Sequence, residues 1–285
     1  MKKRWTMWGA ALFAVLLCVG CSNTATKPND ADKQQIVYSN LADASVQGEV
    51  ADLLESHGVT KEQTDTLLSW VEDFNSRVTS GALAEGFDTM EGTGANYDGL
   101  IIKNKEADDG FIYPEANCRL TSYLLMKNTI QTNGNHADND TFLMFDVEAI
   151  DTYEPFNLSE EERSDFVSLF SWVNVDGADT LEEHVERIQN AWKERDIKIG
   201  GEGISLITVY LHSPFDNVRF VGHTGVLLET EEGLLFVEKY GPQYPFQVTK
   251  FQEREELKQY LLGRADLYGD ETELAPLVFV NDQQL

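Results

Sequence analysis

The chain runs to 285 residues, with 22 Lys and Arg against 49 Asp and Glu and a formal charge of −27. That balance excludes a general nucleic-acid binder, which needs a basic face to neutralise phosphates. Apolar residues at 42% and aromatics at 11% exclude a disordered chain, and the length suits one large domain or two small ones.

Lys2, Lys3 and Arg4 precede an apolar stretch over residues 5–19, too short and too close to the N-terminus to read as a spanning helix. It ends in Leu17-Cys18-Val19-Gly20-Cys21, which resembles the lipobox of bacterial lipoproteins, with Cys18 standing where that pattern usually has Leu. The resemblance implies that residues 1–20 are a lipoprotein signal peptide and that Cys21 receives lipid; an ordinary cleaved signal is the plainer alternative. Acyl chains on Cys21 would anchor the protein to the outer face of the cell membrane, outside the cytoplasm. Residues 21–35 read as a flexible tether and residues 36–285 as a single globular domain. With Cys18 lost and Cys21 acylated, Cys118 is the remaining thiol, and no internal disulfide is expected.

Ala44–Ser56 and residues 60–75 read as two helices separated at Gly58. Thr60 with Gln63 fits a capping box, and Leu67, Leu68, Val71 and Phe74 form one apolar stripe. Residues 81–99, rich in Gly, Asp and Thr, read as loop. Asn117 is a favoured N-cap for an apolar helix over Cys118–Met126. A polar loop over 134–140 leads into residues 141–147, which read as a short strand. Ser159 with Glu162 and Thr180 with Glu183 are capping boxes that open two more helices. Leu181, His184, Val185, Ile188 and Trp192 line one face of the second.

Beyond Gly203 the period changes. Residues 204–211, 218–228, 233–240 and Phe246–Phe251 are rich in β-branched and aromatic residues, with Gly and Pro between them. The turn over 229–232 makes the second and third a hairpin, a short helix follows over 253–262, and Leu277–Val280 reads as a last strand. The expected class is therefore α+β, with helices grouped in the N-terminal half and packed on a C-terminal antiparallel sheet.

One arrangement in this order carries chemistry. Cys118 falls in the first turn of a helix, where the partial positive charge of the N-terminus favours thiolate. His223 lies in Gly222-His223-Thr224-Gly225-Val226, and Glu238 in Val237-Glu238-Lys239. A turn centred on residues 231 and 232 pairs His223 with Tyr240 and puts Glu238 diagonally opposite, with Cα atoms about 7–8 Å apart on one sheet face. A helix-start Cys, a strand His and a later polar residue is the order used by papain-like and NlpC-type thiol hydrolases, in which the His activates the thiol and a third group fixes its tautomer. Cys118, His223 and Glu238 are thus the catalytic candidates. Tyr113 and Asn117 are candidate oxyanion donors, and Gln247 is an alternative orienter of the His. The plainer reading is that Cys118 is a small buried hydrophobe, His223 satisfies a carbonyl and Glu238 pairs with Lys239 in solvent.

The other histidines carry less. His136 has Asp138 and Asp140 nearby but no second His at ligand spacing, so a loop is the simpler reading and no metal is expected. His184 fits a satisfied core position, His57 a helix end, and His212 a loop start that could lie near His223 across the sheet. No Gly-rich phosphate cradle and no Gly-x-Ser-x-Gly elbow occurs, so no cofactor is expected.

Tyr38-Ser39-Asn40-Leu41, Asn117-Cys118-Arg119, Gly222-His223-Thr224-Gly225-Val226-Leu227, and Leu235-Phe236-Val237-Glu238-Lys239 with Pro245-Phe246-Gln247 together resemble the bacterial lipoproteins grouped as domain of unknown function 4300. The family usually has Tyr where this chain has Phe246. The resemblance runs from about Ile36 to Asp282 and implies a secreted, lipid-anchored, single-domain protein without implying a reaction. Two functions follow as expectations: a surface thiol hydrolase acting on an amide in a peptide or cell-wall stem peptide, or a non-catalytic lipoprotein that binds a ligand or an envelope partner.

Overall fold

Glu231 and Glu232 form a two-residue turn, and Gly233 closes it with φ at +132°, a conformation that suits glycine. This turn joins the strands Val218–Thr230 and Gly233–Lys239, and the register runs from Gly233 opposite Thr230 to Val237 opposite Val226. A computed structural model describes residues 35–285 except 93, 96, 138–140, 268, 270 and 271. The leader, Cys21 and the tether as far as residue 34 lie outside the described residues, as do Asp138 and Asp140.

The fold is α+β: seven α-helices and a large antiparallel sheet among the described residues. In chain order the strands of that sheet are β1 (Gln35–Ser39), β2 (Asp88–Glu91), β3 (Val173–Asn174), β4 (Ile204–Ser213), β5 (Val218–Thr230), β6 (Gly233–Lys239), β7 (Phe246–Phe251), β8 (Leu277–Val280) and β9 (Gln283–Gln284). Their spatial order is β9-β8-β4-β5-β6-β7-β1-β2, with β3 pairing the start of β5 on the edge away from β4. The helices are α1 (Ala44–Ser56), α2 (Lys61–Ser76), α3 (Cys118–Met126), α4 (Met144–Thr152), α5 (Glu160–Phe170), α6 (Leu181–Glu194) and α7 (Arg254–Gly263).

The helix starts follow from local chemistry. Thr60, Ser159 and Thr180 each accept from the N3 backbone while Gln63, Glu162 and Glu183 bond back to the cap, which satisfies N–H groups a helix otherwise leaves without partners. Asn117 caps α3 by accepting from Leu120 N.

Side-chain alternation gives the sheet two apolar faces. Val226, Leu228, Leu235, Val237, Phe246 and Val248 pack with residues of α1, α2, α3, α5 and α6 on one side. Ile207, Val209, Leu227, Phe236 and Phe251 pack with Leu257, Tyr260 and Leu261 of α7 on the other.

Two expectations need correction. Residues 141–147 are not a strand: Thr141–Leu143 is a 3-10 turn, and α4 begins at Met144. The buried positions Leu143, Asp146, Ala149 and Ile150 fall at helical spacing, and a carboxylate inside that stripe disguised it as a short apolar run. Residues 81–99 are not all loop, because β2 lies within them and pairs with β1, setting Met90 opposite Ile36. A four-residue strand whose ends are acidic gives almost no periodic signal.

Among the described residues no helix is long and apolar enough to cross a membrane. At Gly225 the sheet leaves no room for a side chain. A Cβ there would lie 2.3 Å from the Phe236 ring and 2.8 Å from Val237 O. Gly225→Val is therefore expected to lower stability by about 1–3 kcal/mol, read as a shift of the urea midpoint, by the usual cost of overpacking.

Candidate active site

Both β5 and β6 continue past Val226 and Val237, yet their ladder stops there. Helix α3 contacts both strands. Its first residue, Cys118, sets its thiol beside the His223 imidazole on β5, close enough that each shifts the other's titration. His223 Nε2 lies 2.6 Å from Glu238 Oε2, so the Nδ1 edge remains for the thiol.

Glu238 is fully buried. Its Oε2 also accepts from Arg264 Nη1 at 2.7 Å, while Oε1 accepts from Tyr260 Oη at 2.7 Å and Gln247 Nε2 at 3.3 Å. Burial pushes the carboxyl pKa up, but Arg264, His223 and Tyr260 outweigh it and hold it below the usual range. The ionised carboxylate therefore puts the proton on Nε2 of the ring.

The same opposition acts on the other two groups. Burial raises the Cys118 pKa, yet the hydrogen bond and charge of His223, aided by Arg119, bring it below the ordinary thiol value. Burial and Arg264 lower the His223 pKa, yet Cys118 and Glu238 carry it above the ordinary imidazole value. Both shifts favour a thiolate beside an imidazolium.

Asn117 and Arg119 fix the start of α3 from either side of the thiol. Asn117 Nδ2 donates to Asp146 Oδ1 at 2.6 Å, and Arg119 Nη2 donates to Asp146 Oδ2 at 2.7 Å. Arg119 Nη1 also donates to Val221 O of β5 at 2.7 Å, tying the helix to the histidine's strand. Asn117→Ala removes the cap and the Asp146 bond, and an expected loss of about 1–2 kcal/mol in urea denaturation follows from cap deletions.

The sequence model of a family described as a domain of unknown function, DUF4300, matches residues 37–285. The chain belongs to that family. No curated protein and no solved structure matches it.

In this DUF4300 chain, Cys118, His223 and Glu238 come together, and Gln247 stands behind Glu238 rather than against the imidazole. Gln247 Oε1 accepts from Tyr97 Oη at 2.7 Å, and Asn40 Nδ2 lies 2.6 Å from that hydroxyl, so a buried chain of polar groups runs from Asn40, just past β1, to Glu238. Asn117 spends its amide on the cap and on Asp146. Tyr113 packs with Phe111 and Tyr153.

His212 is not on His223. It pairs across the sheet with Arg219, and its ring lies 5.1 Å from that of His184. His184 is buried and bonded to Arg219 Nε and Ala178 O. His57 ends α1 with its Nε2 2.9 Å from Glu229 O. His136 Nδ1 meets Ala137 O, and among the described residues no three His, Cys, Asp or Glu side chains are grouped to hold a metal.

The sequence reading missed Arg264, Tyr260, Tyr97, Asp146 and the role of Arg119. Arg264 is buried, and its guanidinium also holds Asp266 and Tyr240 O and lies 3.7 Å from the centroid of the Tyr240 ring. A charged residue placed just past a helix end carries no motif. Only the fold reveals that it faces a carboxylate.

Proposed function

We propose that this protein is a thiol hydrolase that cleaves an amide, with Cys118 as nucleophile, His223 as acid and base, and Glu238 as the group that orients the ring. The observation that carries this is the buried, ordered series from the thiol to the imidazole to a carboxylate saturated by four donors. A helix-borne Cys against a strand-borne His is also the layout of papain-like enzymes, and we extend that likeness to the packing of helices on the sheet. The leader sequence supports export and attachment through acyl chains on Cys21, with the domain facing peptide or cell-wall stem-peptide substrates outside the membrane.

In the reaction, His223 takes the Cys118 proton and the sulfur attacks the carbonyl carbon. A C–S bond forms, and the carbonyl π pair moves to oxygen. The N–H groups of Cys118 and Arg119, in the first turn of α3 and without acceptors inside the helix, are the donors available to that charge. Collapse breaks the C–N bond, and the amine leaves with the proton from His223. A water deprotonated by His223 then opens the thioester, giving the carboxylic acid and restoring the thiol.

Iodoacetamide at pH 6 tests the first step. Cys118 should be alkylated at least tenfold faster than glutathione under the same conditions, with His223→Ala as the comparison. Alkylation no faster than that of the free thiol would defeat the catalytic reading. A second reading draws on the burial of the thiol, which is 9% exposed. In that reading the domain binds a ligand or an envelope partner without chemistry, and Cys118→Ala leaves its phenotype intact.

A further inference from the structure

A cleft of about 160 Å³ opens beside the segment that leads into α3, with walls formed by Trp70, Phe74, Tyr153, Phe156 and Phe246. Its volume is close to that of a cavity known to hold one benzene ring. The walls are set at steep angles. Trp70 meets Phe156 edge-on with centroids 4.9 Å apart, Tyr153 meets Phe156 at 5.1 Å, and Phe74 meets Phe246 at 6.5 Å. Such walls offer both ring faces and ring edges to an aromatic guest.

The polar groups around it are already engaged. Lys239 donates to the carbonyls of Gly241, Pro242 and Tyr244, which uses its three donors, and its Nζ lies over the Phe74 ring at 3.8 Å. Arg77 joins Glu115 to Asp73, and Lys105 lies 3.2 Å from Asp73. The cleft therefore has no uncommitted charge to offer a ligand, and its selectivity rests on shape and apolar contact.

Its position ties it to the thiol. Ala116 lines the cleft two residues before Cys118, and Asn117 between them is extended, so the wall lies about 7 Å from the nucleophile's backbone. Lys239 follows Glu238 directly on β6 and turns to the opposite face of the strand, so the cleft and the carboxylate share one strand.

We propose that this cleft is the substrate subsite next to Cys118 and that it takes an aromatic side chain on the acyl side of the cleaved amide. This rests on the reading of Cys118 as a nucleophile. Substrates whose acyl residue carries a benzyl or indole group are held with the carbonyl over the sulfur. Small or charged side chains leave the aromatic walls wet or unpaired.

Two acyl-amino vinyl sulfones test it, identical except that one carries a Phe side chain next to the warhead and the other an Ala side chain. In each, the Cys118 sulfur bonds to the vinyl carbon β to the sulfone, next to the carbon that bears the side chain, the C=C π pair moves to the carbon beside the sulfone, and that carbon takes the proton from His223. Labelling of the full chain, followed by intact mass, should be at least tenfold faster with the Phe probe. Phe156→Ala, which removes one wall, should bring the Phe-to-Ala rate ratio toward one. Rapid alkylation by iodoacetamide at pH 6 with equal rates for the two probes would overturn the subsite and leave the nucleophile standing. Slow alkylation by iodoacetamide as well would overturn both.

Discussion

Glu238→Ala is expected to lower the stability of the folded chain by about 3–5 kcal/mol, the range for breaking a buried ion pair from one side. The carboxylate is fully buried and meets two cationic or potentially cationic groups, the Arg264 guanidinium and the His223 imidazole. Its removal leaves Arg264 buried with Asp266 as its remaining carboxylate, and that partner is itself 47% exposed. Tyr260 Oη and Gln247 Nε2 lose their shared acceptor as well. Urea denaturation should show a lower midpoint at unchanged slope. Glu238→Gln keeps the shape and one acceptor, so its loss should be smaller. In the double variant Glu238→Ala with Arg264→Met, the loss should fall short of the sum of the single ones, since the second change removes the stranded charge. A loss under about 1 kcal/mol for Glu238→Ala would mean that water reaches Arg264 in the folded state.

What the sequence made legible here is local. The register of the β5–β6 hairpin follows from two turn residues and the side-chain period of two as far as Val226 opposite Val237; the ladder ends there, so the expected pairing of His223 with Tyr240 does not form, while His223 and Glu238 still meet side chain to side chain. The start of α3 was legible because Asn117 is a good cap and the helix behind it is apolar. Asp146 shows the limit of such reasoning. Its segment lost its helical signature because one position in the buried stripe is a carboxylate, held there by Asn117 and Arg119 from another helix. Binary patterning reads a buried polar residue as a surface one.

The support of the site was hidden for the same physical reason. Asn40 and Tyr97 are 57 residues apart, and Tyr97 and Gln247 are 150 apart, so no local period links them. Each is polar and buried, and each is affordable only because the next one satisfies it. The consequence is a thiol whose surroundings are set by residues from β5, β6, β7 and α7 together with Asn40, Tyr97 and Arg264. A substitution at Asn40, far along the chain from Cys118, therefore breaks a polar chain that reaches Glu238, the partner of His223, through Tyr97 and Gln247.

The pH dependence of Cys118 alkylation should separate an activated thiol from a merely buried one. The thiol is held below its ordinary value and the imidazole above its own, which draws the two together; under the catalytic reading they cross, and a thiolate–imidazolium pair then exists over the window between them. As pH rises through the lower value, the thiol gives up its proton and the rate climbs. As pH rises through the upper value, the imidazolium loses its proton and the pair becomes thiolate beside neutral ring. Alkylation of the native chain should therefore already be on its plateau well below pH 8. In His223→Ala the main lowering influence is gone while burial remains, so the thiol should titrate at or above an ordinary value of about 8.5. At pH 6 roughly one thiol in 300 would then be ionised, and the rate should fall by about a hundredfold. Glu238→Gln removes one of the two groups that raise the imidazole and leaves Cys118, so it should move the upper edge of the window to lower pH. Circular dichroism on each variant separates this from unfolding. Identical profiles for the native chain and His223→Ala would show that the imidazole does not set the charge of the sulfur.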